Sequence, residues 1–167
     1  IMANGDLLYH DALYMSALQA DGSYDFTENF TYVKPWLKQA DLVLGDFEGT
    51  VNPDYPLSGY PLFNAPQSVT AAIKDAGYDV MDLAHNHILD SGLEGAFTTA
   101  DAFKKVGIDP IGVYEKPVRD KAPLLIKNVN GIKVAILSYA YGYNGLSPSI
   151  VTSAASMPCI RSGVRIR

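Results

Sequence analysis

The sequence predicts an α/β fold with a mixed β-sheet flanked by helices. Three observations carry that expectation. Short apolar runs alternate with stretches of helical period through the first two thirds of the chain. Each of the early apolar runs ends in a polar turn, and two later apolar runs are joined around Asn130-Gly131, a hairpin signal.

In chain order, "IMANGD" reads as the end of a strand that turns at Gly5. "PWLKQA" suits a short helix, because a first helical position such as Pro35 loses no amide hydrogen bond. "ADLVLGDFEGT" holds an apolar core, Leu42 to Gly45, that ends in a charged turn. "APQSVTAAIKDAGY" is the clearest helix: Val69, Ala72, Ile73 and Ala76 recur at helical spacing, and Gly77 is placed for a left-handed stop. "DVMDLA" then reads as a strand. Ser91 and Glu94 form the pattern of a capping box ahead of "LEGAFTTADAFKKVG", which Gly107 closes, and "IDPIGVY" supplies another short strand. "APLLIKNVNGIKVAILSYA" is the hairpin, so parallel strands come first and an antiparallel pair follows. Tyr139, Tyr141 and Tyr143 alternate, which predicts one shared face of a strand; a half-buried sheet face is favoured over a stacking platform for sugar or polymer.

The chain of 167 residues is 48% apolar and 19% charged, enough for one core and unlike a disordered segment. No apolar run approaches the ~20 residues of a membrane helix. Cys159 is the only cysteine, which excludes an internal disulfide and a cysteine zinc cluster. All 18 acidic residues lie at or before Asp120, whereas Arg161, Arg165 and Arg167 crowd the last seven positions. An acidic body of this kind argues against nucleic acid and for a cation held among carboxylates.

The chemistry sits in three turns that follow strands. "GDLLYH" carries Asp6 and His10; "GDFEGT" carries Asp46 and Glu48; "AHNHILD" carries His85, Asn86, His87 and Asp90. Ligand sites of open α/β sheets form beyond the carboxyl ends of the strands, so turns about 40 residues apart can converge. Carboxylate, amide oxygen and imidazole together suit a divalent Mn, Fe or Zn ion rather than a thiolate metal. Plain alternatives stand beside this: His10 as a surface residue at a helix start, Glu48 as an exposed loop acid, Asp90 as a turn former before the next helix. The three histidines of the chain, His10, His85 and His87, all fall within these turns. That joint pattern favours a site over coincidence.

These segments, with "AGYDVMDLAHNHILDSGLEGAFTTADAFKKVGI" and "GIKVAILSYAYGYNG", resemble in order and spacing the amino-terminal half of the CapA family. Those are bacterial capsule-synthesis proteins associated with poly-gamma-glutamate, with a calcineurin-like metallophosphoesterase fold. The resemblance implies a mixed β-sheet sandwich flanked by helices, metallophosphoesterase-like and incomplete on its C-terminal side. Residues 1–146 match, and 147–167 form an atypical tail, non-native or disordered, as a truncation, frameshift or cloning-derived end would give. By resemblance Asp6, Asp46 and Asn86 are metal ligands and His87 acts on the leaving group. His10 replaces the histidine of the Asp-x-His motif at a wider spacing. His85 stands where the family has asparagine, and Asp46-Phe47-Glu48 where it more often has Asn-Leu-Glu.

Family members supply further histidines from a later segment, so two ions belong to the full-length protein and this chain alone is expected to have little catalysis. The resemblance also implies a cell-surface, membrane-tethered protein, an anionic polymer or its precursor as substrate, and membrane-associated capsule-synthesis proteins as partners. Surfaces left uncovered predict self-association. Two other readings stand: a non-catalytic scaffold of a polymer-synthesis complex, and an ordinary α/β domain whose polar turns do not meet.

Overall fold

In the computed structural model, which describes residues 1–114 and 124–146, a parallel four-stranded sheet carries helices on one face and a β-hairpin on the other. The strands are β1 (Met2–Leu8), β2 (Val43–Glu48), β3 (Val80–Asp82) and β4 (Asp109–Ile111), side by side in chain order. Short helices α1 (Asp11–Ser16) and α2 (Lys34–Leu37) lie between β1 and β2. Helix α3 (Val69–Ala76) leads into β3, and α4 (Gly92–Lys105) into β4. Strands β5 (Leu125–Val129) and β6 (Ile132–Ile136) form a separate antiparallel pair. The α/β class and the flanking helices are thus as the sequence predicts. The tail from Ser147, with Cys159 and the three terminal arginines, lies outside the described residues.

Alternation along the parallel strands sorts their side chains to two faces. Val43, Phe47 and Met81 face the helices and join Ile73, Ala96 and Phe103 in the main core. Phe47 and Phe103 meet edge to face at 5.1 Å, and Phe47 lies 6.0 Å from Tyr9. Leu42, Val80 and Ile111 face the other way and pack under Leu125, Val129, Val134 and Ile136 of the hairpin. Asn130 and Gly131 take φ of 51° and 87°, the left-handed pair a two-residue hairpin turn requires.

Helix α3 ends where expected: Gly77 has φ 117°, and its amide returns to the carbonyls of Ile73 and Lys74.

Three local expectations fail for identifiable reasons. Strands β1 and β2 do not stop at Gly5 and Gly45: a register shift between Ala3 and Asp6 absorbs the first glycine, and pairing continues to Leu8 and Glu48, so Asp6, Asp46 and Glu48 lie in strands rather than in the expected turns. The capping box is absent, because Ser91 donates instead to the Thr50 hydroxyl at 2.8 Å. Its hydroxyl occupies the space a Cβ on Gly95 would need, 1.9 Å away, so the helix start is fitted to a buried contact rather than to a cap. Tyr139, Tyr141 and Tyr143 share no strand face: β6 ends at Ile136, Tyr141 is 95% exposed and Tyr143 is buried.

Candidate functional site

Register places three aspartates abreast. Asp6 pairs with Asp46, and Asp46 with Asp82, across β1, β2 and β3. Partners in register project to the same side of a parallel sheet, here the hairpin side. Burial raises the Asp46 carboxyl from 3.8 to about 7, and Asp82, Asp6 and Glu48 push it the same way. All three of those neighbours are carboxylates. Asp46 Oδ1 is buried and has no hydrogen-bond partner among the described residues. Asp82 is also raised by burial, although the Ser138 hydroxyl and the Ala84 amide (2.9 Å) donate to it. Burial and the nearby Asp6 carboxyl raise Glu48.

The turn after β3 brings the imidazoles to this row. His87 Nε2 lies 3.7 Å from Glu48 Oε1, and its Nδ1 lies 2.7 Å from Asp90 Oδ2. Asp90 also accepts the Phe63 amide at 2.6 Å, which fixes the carboxylate against the ring. Burial raises the Asp90 carboxyl, while the bonds from Phe63 and His87 pull it down. Phe63 then stands edge-on to His87, ring centres 4.7 Å apart. The loop that carries Phe63 is held by the buried Asn64. Its oxygen accepts from the Thr50 hydroxyl and the Asn52 amide, and its nitrogen donates to the Asn52, Tyr55 and Pro56 carbonyls.

His85 does a different job. It is 7% exposed, and burial, with His87 adding to it, pushes its pKa down to about 3, so it is neutral. Its Nδ1 accepts the His87 amide at 3.1 Å, and the Gly49 amide approaches Nε2 at 3.4 Å, so backbone groups hold the ring from both sides. It shapes the turn. His10 caps α1, bonds Asp11, and reaches the rest of the group through its ring contact with Phe63 at 5.7 Å. It therefore stands at the rim. Asn86 is exposed, its amide nitrogen 2.9 Å from Asn144 Oδ1.

Asp6, Asp46, Glu48, His87 and Asp90 are thus brought together, with Asn86 at the edge. The sequence reading passed over Asp82, Phe63, Asn64, Ser138 and Asn144. Asp82 had a signal: it sits two residues past Val80 on one strand face, as Asp46 does past Leu44. Phe63 and Asn144 had none, since their roles come from contacts 27 and 57 residues away.

The row fits a hard cation in kind: oxygen donors, an orphaned buried oxygen and uncompensated negative charge. Among the described residues, however, no three His, Cys, Asp or Glu side chains are grouped so as to hold a metal on their own.

Residues 1–159 match the model of the bacterial capsule synthesis protein family PGA_cap. The capsule biosynthesis protein CapA of Bacillus anthracis is 35% identical over 115 residues, which are 66% of this chain and 28% of that protein. The PGA biosynthesis protein CapA of Bacillus subtilis (strain 168) is 27% identical over 113 residues, 66% of this chain and 30% of that protein. The matched stretches span less than a third of either relative.

Proposed function

This chain belongs to the bacterial capsule synthesis protein family PGA_cap, and on that premise we propose that it is the metal-site portion of a CapA-type protein. Such a protein would act in synthesis or export of capsule or poly-gamma-glutamate at the cell surface. Its reaction would be a metal-assisted hydrolysis or transfer on an anionic polymer or its precursor. The observation that carries this reading is Asp46, a carboxylate made costly by burial and by three carboxylate neighbours, with a buried oxygen unpartnered.

Asp6, Asp46 and Asn86, with Glu48 beside them, would hold a divalent Mn, Fe or Zn ion, and His10 is a rim candidate. When bound, the ion supplies Lewis acidity and offsets the negative row. His87 would pass a proton to the leaving group through Nε2, while Asp90 on Nδ1 holds the ring in place. Phe63 excludes water from one side of that ring. Among the described residues no helix is long and apolar enough to cross a membrane. Membrane-associated capsule proteins as partners, and a tether, belong to the proposal for the whole protein. So does self-association, which the exposed Ile126 and Ile132 on the hairpin and Leu137 just after it support.

The absence, among the described residues, of a complete three-residue acid or histidine group favours one second reading, a non-catalytic scaffold that keeps the fold. Calorimetric titration with Mn²⁺ and Zn²⁺ separates the two. The site reading expects binding that Asp46→Ala removes; a folded chain that binds neither ion favours the scaffold.

A further inference from the structure

We infer that Asn144 is a positioning residue of this site, tying the Asn86 amide and the His87–Asp90 pair into one geometry; the inference rests on the reading above. Asn144 comes from the segment after β6, yet its side chain reaches both residues. Asn86 Nδ2 donates to Asn144 Oδ1 at 2.9 Å. With that nitrogen engaged, the amide oxygen of Asn86 is the atom left to face a ligand.

Asn144 Nδ2 in turn lies 3.1 Å from His87 Nδ1, the nitrogen that Asp90 Oδ2 approaches at 2.7 Å. One ring nitrogen cannot donate and accept at once. The shorter, charge-assisted contact wins, so Nδ1–H donates to Asp90 and the Asn144 amino group donates to the same carboxylate. Nε2 of His87 is then the nitrogen turned toward Glu48.

The backbone is consistent with such a role. Asn144 has φ 47° and Gly145 φ 80°, a left-handed pair that asparagine, among residues with an amide, enters at low cost. The same segment makes a second tie, from the Ser138 hydroxyl to Asp82. Buried Tyr143 anchors it between the two. Asn86, Tyr141 and Asn144 line one cavity, so the cross-link also shapes the site's mouth.

Two variants of the full chain separate the halves of the contact. Asn144→Gly removes the side chain and keeps the left-handed backbone; Asn144→Asp keeps an acceptor for Asn86 but replaces the donor with a charge that repels Asp90. The readouts are Mn²⁺ affinity by calorimetry and the ¹⁵N NMR signals of the Asn86 side-chain amide and the His87 ring. Asn144→Gly should move both signals and weaken Mn²⁺ binding about tenfold. Asn144→Asp should move the His87 signals and leave the Asn86 amide near its wild-type position. Unmoved Asn86 and His87 signals in folded Asn144→Gly overturn the inference. A wild-type chain that takes up no Mn²⁺ defeats the metal reading on its own, and the NMR arm then still decides Asn144.

Discussion

The two faces of the parallel sheet are made from alternate residues of the same strands, and they have opposite character. On β2, Val43 and Phe47 point to the helices and are each 1% exposed, within a core of interlocking aromatic and aliphatic side chains. Leu44, Asp46 and Glu48 point the other way, where a small apolar cluster gives way to a row of carboxylates. One face lowers the free energy of the fold by removing apolar area from water. The other raises it, by placing like charges side by side with a buried oxygen unmatched. A sheet can hold such a row because its helix face supplies stability separately.

The sharpest way to break that comparison is to weaken the helix face. Phe47→Ala should cost about 3–5 kcal/mol in urea unfolding, through lost burial and the cavity left against Tyr9 and Phe103. Leu44→Ala, on the part-buried opposite face, should cost clearly less. Equal losses would mean that the hairpin side carries as much stability as the helix side.

Relieving the charged face should have the reverse sign. The Asp46 carboxyl titrates at 3.8 when unperturbed and at about 7 in the fold. Between those values the folded chain keeps a proton that the unfolded chain releases, so stability falls as pH rises through that window. Asp46→Asn removes this loss. The variant should be more stable than the wild type at pH 8 without added metal, by about 2 kcal/mol once solvent screening of the part-exposed group is allowed for. Thermal melts at pH 4 and pH 8 check it: the gap between the two chains should open only at the higher pH. Wild-type stability that does not fall over this range would show that the row is not a burden.

The smallest effect is expected at the start of α4. Because Ser91 is engaged with Thr50 and makes no cap bond, Glu94→Ala should cost no more than about 0.5 kcal/mol, the loss of a favourable charge in the first helical turn. A working capping box would add to that. A larger loss would mean that local signals, and not packing alone, hold the helix layer in place.

The missed capping box shows how far local patterns could be read. Ser91-x-x-Glu94 has the right spacing, but the pattern does not show that Thr50, 41 residues earlier, would claim the hydroxyl. Tyr139, Tyr141 and Tyr143 failed similarly, since alternation has meaning only where a strand exists. Gly77 and Asn130-Gly131 were legible because a left-handed stop and a two-residue hairpin turn are decided by the backbone freedom of the residues that make them.

The same division holds for the site. The sequence by itself determined the order of parallel strands and hairpin, and the gathering of every histidine and several acids at or just past the carboxyl ends of the early strands. Each of these follows from local periodicity and residue chemistry. Only the tertiary structure decided the roles. Strand register made Asp82 the neighbour of Asp46, burial turned His85 into a neutral scaffold, and long-range contacts brought Phe63 and Asn144 against His87. Register, desolvation and contact across the chain depend on what is packed beside a residue, and that is set only when the whole sheet and its loops have come together.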